Sequence, residues 1–551
     1  MCSNVKNHSA RCIWVVILLV CAVAWSFQLT SFLHAKGLVL AVGLVVVVYA
    51  QHRNGLLSTN GFQPFIPLWF GLVVWTISGL FTAQVLSFHI EKAVYLALLL
   101  FAASLAVSVF RPPGGRLWLF RGLLLSGGVI ALLALLQYGG MINRLFPVFP
   151  GYDQRAYSVF GNQNLLGGFM AVLLALLLSL FRWTPRMQRG HFVASVALFA
   201  MLLGALLVSG TRTAWLAAVV GCGYTLLMGT RPRKTRLLLR RPRTVRVVVI
   251  VLTVIAILAV GAPLLTTRIA LTFTERDVGG HARLWFWAGA SRMIIERPLF
   301  GVGLGNYAYW SPYYQGKVLH APGGEALFHN EQHTVHAHSE PLEWLAETGV
   351  LGSLFLLWFA VTVFRRRGPQ TGALVALAVF SCFNTLWHSP PHVLAGLLLA
   401  GVFTPGNTAS PRDRKTGATL SATAILLAAA FMHTALIPSV LLSRAEMLHV
   451  VGRMPEASYR RALHWPWPNP QARKSYAIFL LDESRFDAAR VQLEQALEGM
   501  DTGATHLLLA ICAEARGDRK AVLEHAQACL FRWPDNVHAR ALAVRYGDGS
   551  Q

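Results

Sequence analysis

Residues 165–181 read LLGGFMAVLLALLLSLF and carry no charged side chain. A helix of about 17 to 25 such residues crosses the roughly 30 Å hydrocarbon layer of a membrane. The same pattern recurs along the chain in thirteen apolar segments: 13–30, 37–50, 65–86, 90–110, 118–137, 165–181, 190–209, 213–228, 246–266, 349–364, 371–386, 391–404 and 418–442. The sequence therefore predicts an all-α, polytopic membrane protein of about 12 to 13 transmembrane helices.

Composition and charge agree with this class. The 551 residues are 55% hydrophobic and only 13% charged, whereas a soluble domain is about 25% charged. The net charge of +24 usually suggests nucleic acid. With the N-terminus in the cytoplasm, however, the cytoplasmic loops collect 23 cations and one anion, eight of those cations between Arg231 and Arg246. Basic residues on alternate loops indicate membrane orientation, so nucleic-acid binding is not expected.

The segment boundaries predict two domains. Residues 1–442 form the transmembrane domain, with a large external loop at about 267–348, and residues 443–551 contain no spanning segment. Thirteen crossings place this C-terminal tail outside the cell membrane. Within the tail, residues 484–497 match residues 517–530 at an offset of 33, a spacing similar to that of tetratricopeptide repeats.

Two questions about the tail stay open at the sequence level. It is either a docking surface for a partner protein or acceptor, or a helical cap that packs on the membrane domain. Cys512 and Cys529 both lie in it, and an oxidising compartment permits a disulfide between them.

The candidate chemistry lies outside the spans. No span has a charge near its middle, and Glu91 and Lys92 lie at a helix edge, which disfavours a proton-coupled transporter. Gly301-x-Gly303-x-Gly305 lacks a preceding strand and a terminal Lys, so it predicts helix-end turns rather than a phosphate loop. His336 and His338 diverge on a helix and have no acidic or cysteine partner at a recognised ligand spacing. No metal site is therefore predicted.

Four external segments carry a family resemblance in their order along the chain. They are Phe160-Gly-Asn162-Gln-Asn164; Ser209-Gly-Thr-Arg212; Arg283 with Trp287 and Asn306; and His336-Ala-His338-Ser-Glu340-Pro-Leu-Glu-Trp-Leu-Ala-Glu347-Thr-Gly349. Over roughly residues 150–405 the sequence resembles the O-antigen ligase and O-antigen polymerase superfamily of bacterial membrane glycosyltransferases. The family more often has Pro at 163 and Asn at 339, so Gln163 and Ser339 are departures that remove no candidate catalytic group.

The resemblance implies transfer of a glycan from an undecaprenyl-diphosphate carrier to an acceptor hydroxyl at the periplasmic face of the bacterial inner membrane. The reaction would be inverting and would need no metal or other cofactor. His338 would be the general base, and Arg212 and Arg283 would bind the diphosphate, whose oxygens match guanidinium forks. The remaining candidates are substrate-binding or structural: Asn162, Asn164, Asn306, His336, Glu340 and His388.

Several functions remain open within and beyond this family. The acceptor is lipid A core for an O-antigen ligase, a glycan chain for an O-antigen polymerase, or a protein for an O-oligosaccharyltransferase. The alternative from another class is a non-enzymatic transporter of lipid-linked glycans, which would use the arginines for headgroup binding and keep its activity without His338.

Overall fold

The computed structural model describes residues 2–24, 32–112, 114–146, 155–183, 188–228, 278–327, 334–404 and 414–547. Within these ranges the chain is helical and contains no strand. The predicted all-α class is therefore confirmed. The α-helices are α1 (Cys2–Val23), α2 (Phe32–Arg53), α3 (Ile66–Thr82), α4 (Leu86–Phe110), α5 (Gly115–Tyr138), α6 (Gln163–Trp183), α7 (Arg189–Val208), α8 (Arg212–Met228), α9 (Val278–Glu296), α10 (Tyr307–Leu319), α11 (Glu340–Phe364), α12 (Thr371–Ser381), α13 (Pro390–Val402), α14 (Arg414–Phe431), α15 (Ile437–Val450), α16 (Glu456–His464), α17 (Pro470–Asp482), α18 (Phe486–Leu497), α19 (Gly503–Ala515), α20 (Arg519–Arg532) and α21 (Val537–Gly547).

Eight helical segments in the described ranges are long and apolar enough to cross a membrane. They correspond to α2–α7, to α11, and to α14 and α15, which are joined through a π-helical turn at Met432–Leu436. The predicted spans 13–30, 213–228, 371–386 and 391–404 overlap α1, α8, α12 and α13, which are not among these eight segments. The predicted span 246–266 and the basic run 231–246 lie outside the described residues. The multi-pass architecture is thus confirmed.

Helices α4 and α6 form the centre of the bundle. Both are apolar on every side, and a helix of that kind is stable only when neighbours surround it. Helix α6 packs against α7, α8 and α12, while α4 packs against α3, α13 and α14. Small residues allow the closest of these approaches. At the crossing of α8 and α12, a Cβ added to Gly221 would lie 2.7 Å from the carbonyl oxygen of Gly372, so the two backbones are in contact there.

Helix α11 is kinked at Gly349, whose φ of 65° and ψ of −172° interrupt the helical hydrogen bonds. The loop after α9 forms hydrogen bonds with backbone N–H and C=O groups on either side of the kink. Val302 N donates to Ala346 O at 2.9 Å, and Val350 N donates to Pro298 O at 2.8 Å. A Cβ on Gly301 would lie 2.4 Å from Ala346 O, so only glycine permits this approach. As expected from the sequence, the glycine run makes turns; it joins the external loop to the kink.

The C-terminal region consists of helical hairpins. Helices α17 and α19 begin 33 residues apart, as do α18 and α20, so the structure has the repeat that the sequence indicated. Each hairpin turns at a residue with positive φ, Ser484 or Gly517. A further hairpin, α15–α16, precedes them and turns at Gly452. Because α15 begins 33 residues before α17 and continues the last membrane segment, the repeat array grows directly out of the bundle.

The tail packs on the external loop through α20 and α10. Phe531 stacks on His320 with ring centroids 5.1 Å apart, and a Cβ on Gly316 would lie 2.7 Å from the Phe531 ring. This contact agrees with the cap alternative for the tail. Cys512 and Cys529 are both buried and free, so the structure contains no disulfide between them.

Candidate active site

The short segment before α11 is held by a carboxylate from the first turn of that helix. Glu343 is buried, and its Oε2 accepts a hydrogen bond from Ala337 N at 3.0 Å. Its Oε1 lies 3.3 Å from His336 Nδ1. His338 follows Ala337, and its backbone is left-handed, with φ of 51°. Such a conformation is unfavourable for a non-glycine residue and persists where the surroundings enforce it, often at functional sites.

The His338 imidazole is electrically neutral in this setting. Its ring stacks on Phe286 at 5.8 Å. Burial, with smaller contributions from Arg283 and His336 and an opposing one from Glu343, lowers the pKa of His338 to about 4. The structure thus brings His338 and Arg283 into electrostatic contact. At neutral pH the imidazole has a free lone pair with which to accept a proton.

A second histidine reaches the same carboxylate from the loop between α12 and α13. The His388 and His336 ring centroids are 4.0 Å apart, and His388 Nε2 lies 3.5 Å from Glu343 Oε1. Glu340 fixes this loop, because its Oε1 accepts hydrogen bonds from Leu386 N and, at 2.8 Å, from Trp387 N. Burial lowers the pKa of His388 to about 3.

Arg212 is tied to this loop through its neighbour in sequence. It is the first residue of α8, and Asn384 Nδ2 donates to Thr213 Oγ1 at 3.0 Å. On the other side, Thr211 Oγ1 donates to Asn164 Oδ1 at 3.3 Å. The predicted segments around 162–164, 211–213 and 384–388 are therefore linked by hydrogen bonds. The first turns of α6, α8 and α11 meet in this region.

Two of the candidate asparagines have structural contacts. Asn162 caps α6, since its Oδ1 accepts from Asn164 N at 2.8 Å. Asn306 is buried and its amide bridges to the corner between α3 and α4: Oδ1 accepts from Val85 N at 2.7 Å, and Nδ2 donates to Val85 O at 3.2 Å. These contacts position the elements around the site.

Sequence reasoning missed Lys92, which the structure places beside Glu343. Its Nζ lies 2.8 Å from Glu347 Oε2 and 3.4 Å from Glu343 Oε1, and all three side chains are buried. The sequence signal was present, since a lysine in an apolar segment points to function, but its partners lie about 250 residues away.

These groups line a cavity of about 370 Å³. Its polar wall contains Glu91, Lys92, Tyr95, His336, Glu343 and His388. Phe431 and Ala435, at the π-helical turn, contribute to the opposite side. Neither His338 nor the two candidate arginines are among the lining residues. The site thus has two parts: the cavity, and the neighbouring His338–Arg283 region.

The geometry of His336, Glu343 and His388 is compatible with a metal ion, because one ligand atom from each lies within 4.8 Å of the others. This group was not predicted from the sequence, since His388 is remote from the other two residues along the chain. The ammonium of Lys92 already supplies a positive charge to the same Glu343 oxygen at 3.4 Å. That ammonium would repel a divalent cation at this position.

Comparison with known proteins identifies the domain that carries this site. Residues 196–357 match the O-antigen ligase family model. The match extends from α7 to the middle of α11 and includes Arg212, Arg283, Asn306, His336, His338 and Glu340. The resemblance inferred from the sequence is therefore confirmed, and the chain carries an O-antigen ligase domain in a multi-pass membrane protein.

Other comparisons add little to the O-antigen ligase match. No curated protein matches the chain. Among solved structures, a chain from "Crystal structure of APC/C hetero-tetramer Cut9-Hcn1" aligns with 14% identity over 89% of this chain and 99% of that chain. Its TM-score of 0.19 is too low to support any argument about fold or function.

Proposed function

We propose that the protein transfers a glycan from an undecaprenyl-diphosphate carrier to an acceptor hydroxyl at the periplasmic face of the bacterial inner membrane. The observation that carries the proposal is His338, held in a strained backbone and in electrostatic contact with Arg283, inside the O-antigen ligase match. A base and a phosphate-binding cation side by side suit transfer from a diphosphate.

The proposed reaction is a single displacement. His338 takes the proton of the acceptor hydroxyl while the acceptor oxygen bonds to the anomeric carbon of the glycan. The bond from that carbon to the carrier diphosphate breaks on the opposite face, so the anomeric configuration inverts. Arg212 and Arg283 stabilise the negative charge of the departing diphosphate, with no role for a metal ion. The first turns of α6, α8 and α11 add partial positive charge nearby.

The test uses purified full-length protein with undecaprenyl-diphosphate glycan and three acceptors: lipid A core, a glycan chain and a protein. We expect conjugate to form with one of them, with the same rate in EDTA. His338→Ala should slow transfer about 10²- to 10⁴-fold, the usual contribution of a positioned base. The matched control is His538→Ala, an exposed histidine of α21, which should leave the rate unchanged.

The outcomes separate the alternatives. The acceptor that is used distinguishes ligase, polymerase and protein oligosaccharyltransferase. Full turnover by His338→Ala would overturn the base assignment. Absence of conjugate together with carrier movement across proteoliposomes in the same variant would instead identify a transporter.

A further inference from the structure

The 370 Å³ cavity contains polar groups that the proposed mechanism does not use. The hydroxyl of Tyr95 is buried and has no hydrogen-bond partner among the described residues. One turn earlier on α4, Glu91 also lines the cavity. Buried polar groups are normally paired, so this unpaired hydroxyl in a residue of the cavity wall would gain a hydrogen bond from a polar ligand that reached it.

The charges of the wall exclude an anion. Glu91, Glu343 and Glu347 contribute carboxylates, and Lys92 is the one lysine or arginine among the lining residues. Lys92 is already paired with two of the carboxylates. A diphosphate would be repelled from such a wall, since like charges in a poorly hydrated site interact strongly. The wall therefore disfavours an anionic ligand.

The apolar side of the wall is aromatic. Phe88, Tyr95 and Phe431 line the cavity together with its carboxylates. Carboxylates accept hydrogen bonds from hydroxyl groups, while aromatic rings pack against C–H surfaces. A molecule with hydroxyls around its edge and C–H groups on its faces satisfies both. That description fits a neutral sugar ring.

We infer that this cavity is a binding site for one neutral sugar ring of the substrates, separate from the arginines that bind the diphosphate. The inference rests on the proposed function. Glu343 connects the two regions, since it lines the cavity and accepts the Ala337 N–H next to His338. A ring in the cavity is therefore adjacent to the base. It belongs either to the acceptor or to the carrier-linked glycan.

Direct binding tests the cavity without any need for turnover. The full-length protein in lipid nanodiscs is titrated with methyl glycosides of a hexose, an N-acetylhexosamine and a 6-deoxyhexose, and with inorganic pyrophosphate. We expect at least one glycoside to bind, and Tyr95→Phe to weaken it about threefold to tenfold, the effect of one hydrogen bond. Tyr49→Phe removes a hydroxyl from an exposed tyrosine of α2 and should leave binding unchanged.

A second variant fills the cavity instead of removing a polar group. Ala308→Leu adds bulk at the wall and should abolish glycoside binding while the melting temperature shows that the protein remains folded. Equal glycoside binding by wild type, Tyr95→Phe and Ala308→Leu would overturn the inference. So would the failure of all three glycosides to bind, or pyrophosphate binding that Tyr95→Phe weakens.

Transfer kinetics then assign the ring. A rise in KM for the acceptor in Tyr95→Phe indicates an acceptor sugar, and a rise in KM for the carrier-linked glycan indicates a donor sugar. Unchanged values of both would overturn the cavity assignment and leave the proposed function standing. Glycoside binding that depends on Tyr95, in a protein that transfers no glycan, would overturn the proposed function alone.

Discussion

At the scale of single residues, one buried carboxylate organises the candidate site. Glu343 contacts the backbone before His338, two histidine rings and an ammonium group from a distant helix. Its interactions orient the segment that contains His338, the proposed base. Glu340 does the same for the loop of His388 through two backbone N–H groups. Two acidic residues three positions apart thus hold the two histidine segments together.

The pH dependence of transfer should reveal the environment of His338. Because the pKa of this residue is lowered to about 4, the imidazole stays unprotonated far below the ordinary value of 6.5. We expect kcat/KM for transfer, measured from pH 4 to pH 8, to be level above about pH 5 and to fall as pH approaches 4.

A fall in kcat/KM centred near pH 6.5 would contradict this environment.

The stability of the protein should also depend on pH through His338. Between pH 6.5 and pH 4, His338 binds a proton in the unfolded chain but not in the folded protein. The free energy of unfolding should therefore be unaffected by this histidine above pH 6.5 and should decrease as the pH falls from 6.5 to 4.

Glu343→Gln should destabilise the protein strongly. The change keeps the shape of the side chain but removes one of the two carboxylates that neutralise buried Lys92. Loss of one partner from a buried ion pair costs about 3–5 kcal/mol. We expect a lower melting temperature in detergent, together with slower transfer.

The matched control is Glu498→Gln, an exposed residue at the end of α18, which should change stability by less than about 0.5 kcal/mol. The double variant Lys92→Met/Glu343→Gln should not recover the loss, because it leaves the buried Glu347 carboxylate without its cation. Equal melting temperatures for Glu343→Gln and Glu498→Gln would refute the role of the pair.

At the scale of elements, the kink in α11 connects the site to the external loop. The interruption at Gly349 frees backbone groups that the loop after α9 satisfies, so hydrogen bonds tie this loop to α11. Arg283 lies on α9, and the segment of His338 immediately precedes α11. The spacing between base and cation therefore depends on this junction.

Gly349→Ala should disturb that junction. An added Cβ would lie 2.3 Å from Leu299 O, and the φ of 65° is itself unfavourable for alanine. We expect a loss of about 1–3 kcal/mol of stability and a marked loss of transfer. Circular dichroism melts and initial rates measure the two effects.

Gly223→Ala is the matched control, since Gly223 lies within α8 and no atom stands within 4 Å of its added Cβ. There alanine should be neutral or stabilise the helix by up to about 1 kcal/mol. If both alanine variants behaved alike, the kink would not have the role assigned to it.

At the scale of the whole molecule, the tail and the bundle form a continuous structure. The last membrane segment passes through a π-helical turn and becomes the first helix of the repeat array. The array then contacts the external loop, where Phe531 of α20 covers Gly316 of α10. The tail is thus anchored at both the bundle and the loop.

Gly316→Ala should loosen the second anchor. The added methyl group would meet the Phe531 ring and its carbonyl oxygen, both 2.7 Å away, and push α20 from α10. We expect faster limited proteolysis between the bundle and the tail. Gly190→Ala, at an open position in α7, should leave the cleavage rate unchanged. Identical rates in the two variants would show that this contact does not hold the tail.

The sequence by itself determined the properties that depend on neighbouring residues. Apolar length predicted the spans, which α4 and α6 confirm, and the 33-residue offset predicted the hairpins of α17–α20. The resemblance around Arg212, Arg283 and His338 located the O-antigen ligase domain. These signals are readable because helix length, periodicity and motif spacing are local along the chain.

Only the tertiary structure decided which distant groups meet. In the sequence, Lys92 lies at the edge of a predicted helix, and no residue near it along the chain identified Glu343 or Glu347 as its partners. His388 lies beside His336 because Glu340 holds the loop that contains His388. Tyr95 became a candidate only when the structure placed it in the wall of a cavity. Buried charges and polar groups must find partners wherever packing brings them together, and packing among helices far apart in sequence is a property of the folded bundle rather than of any one segment.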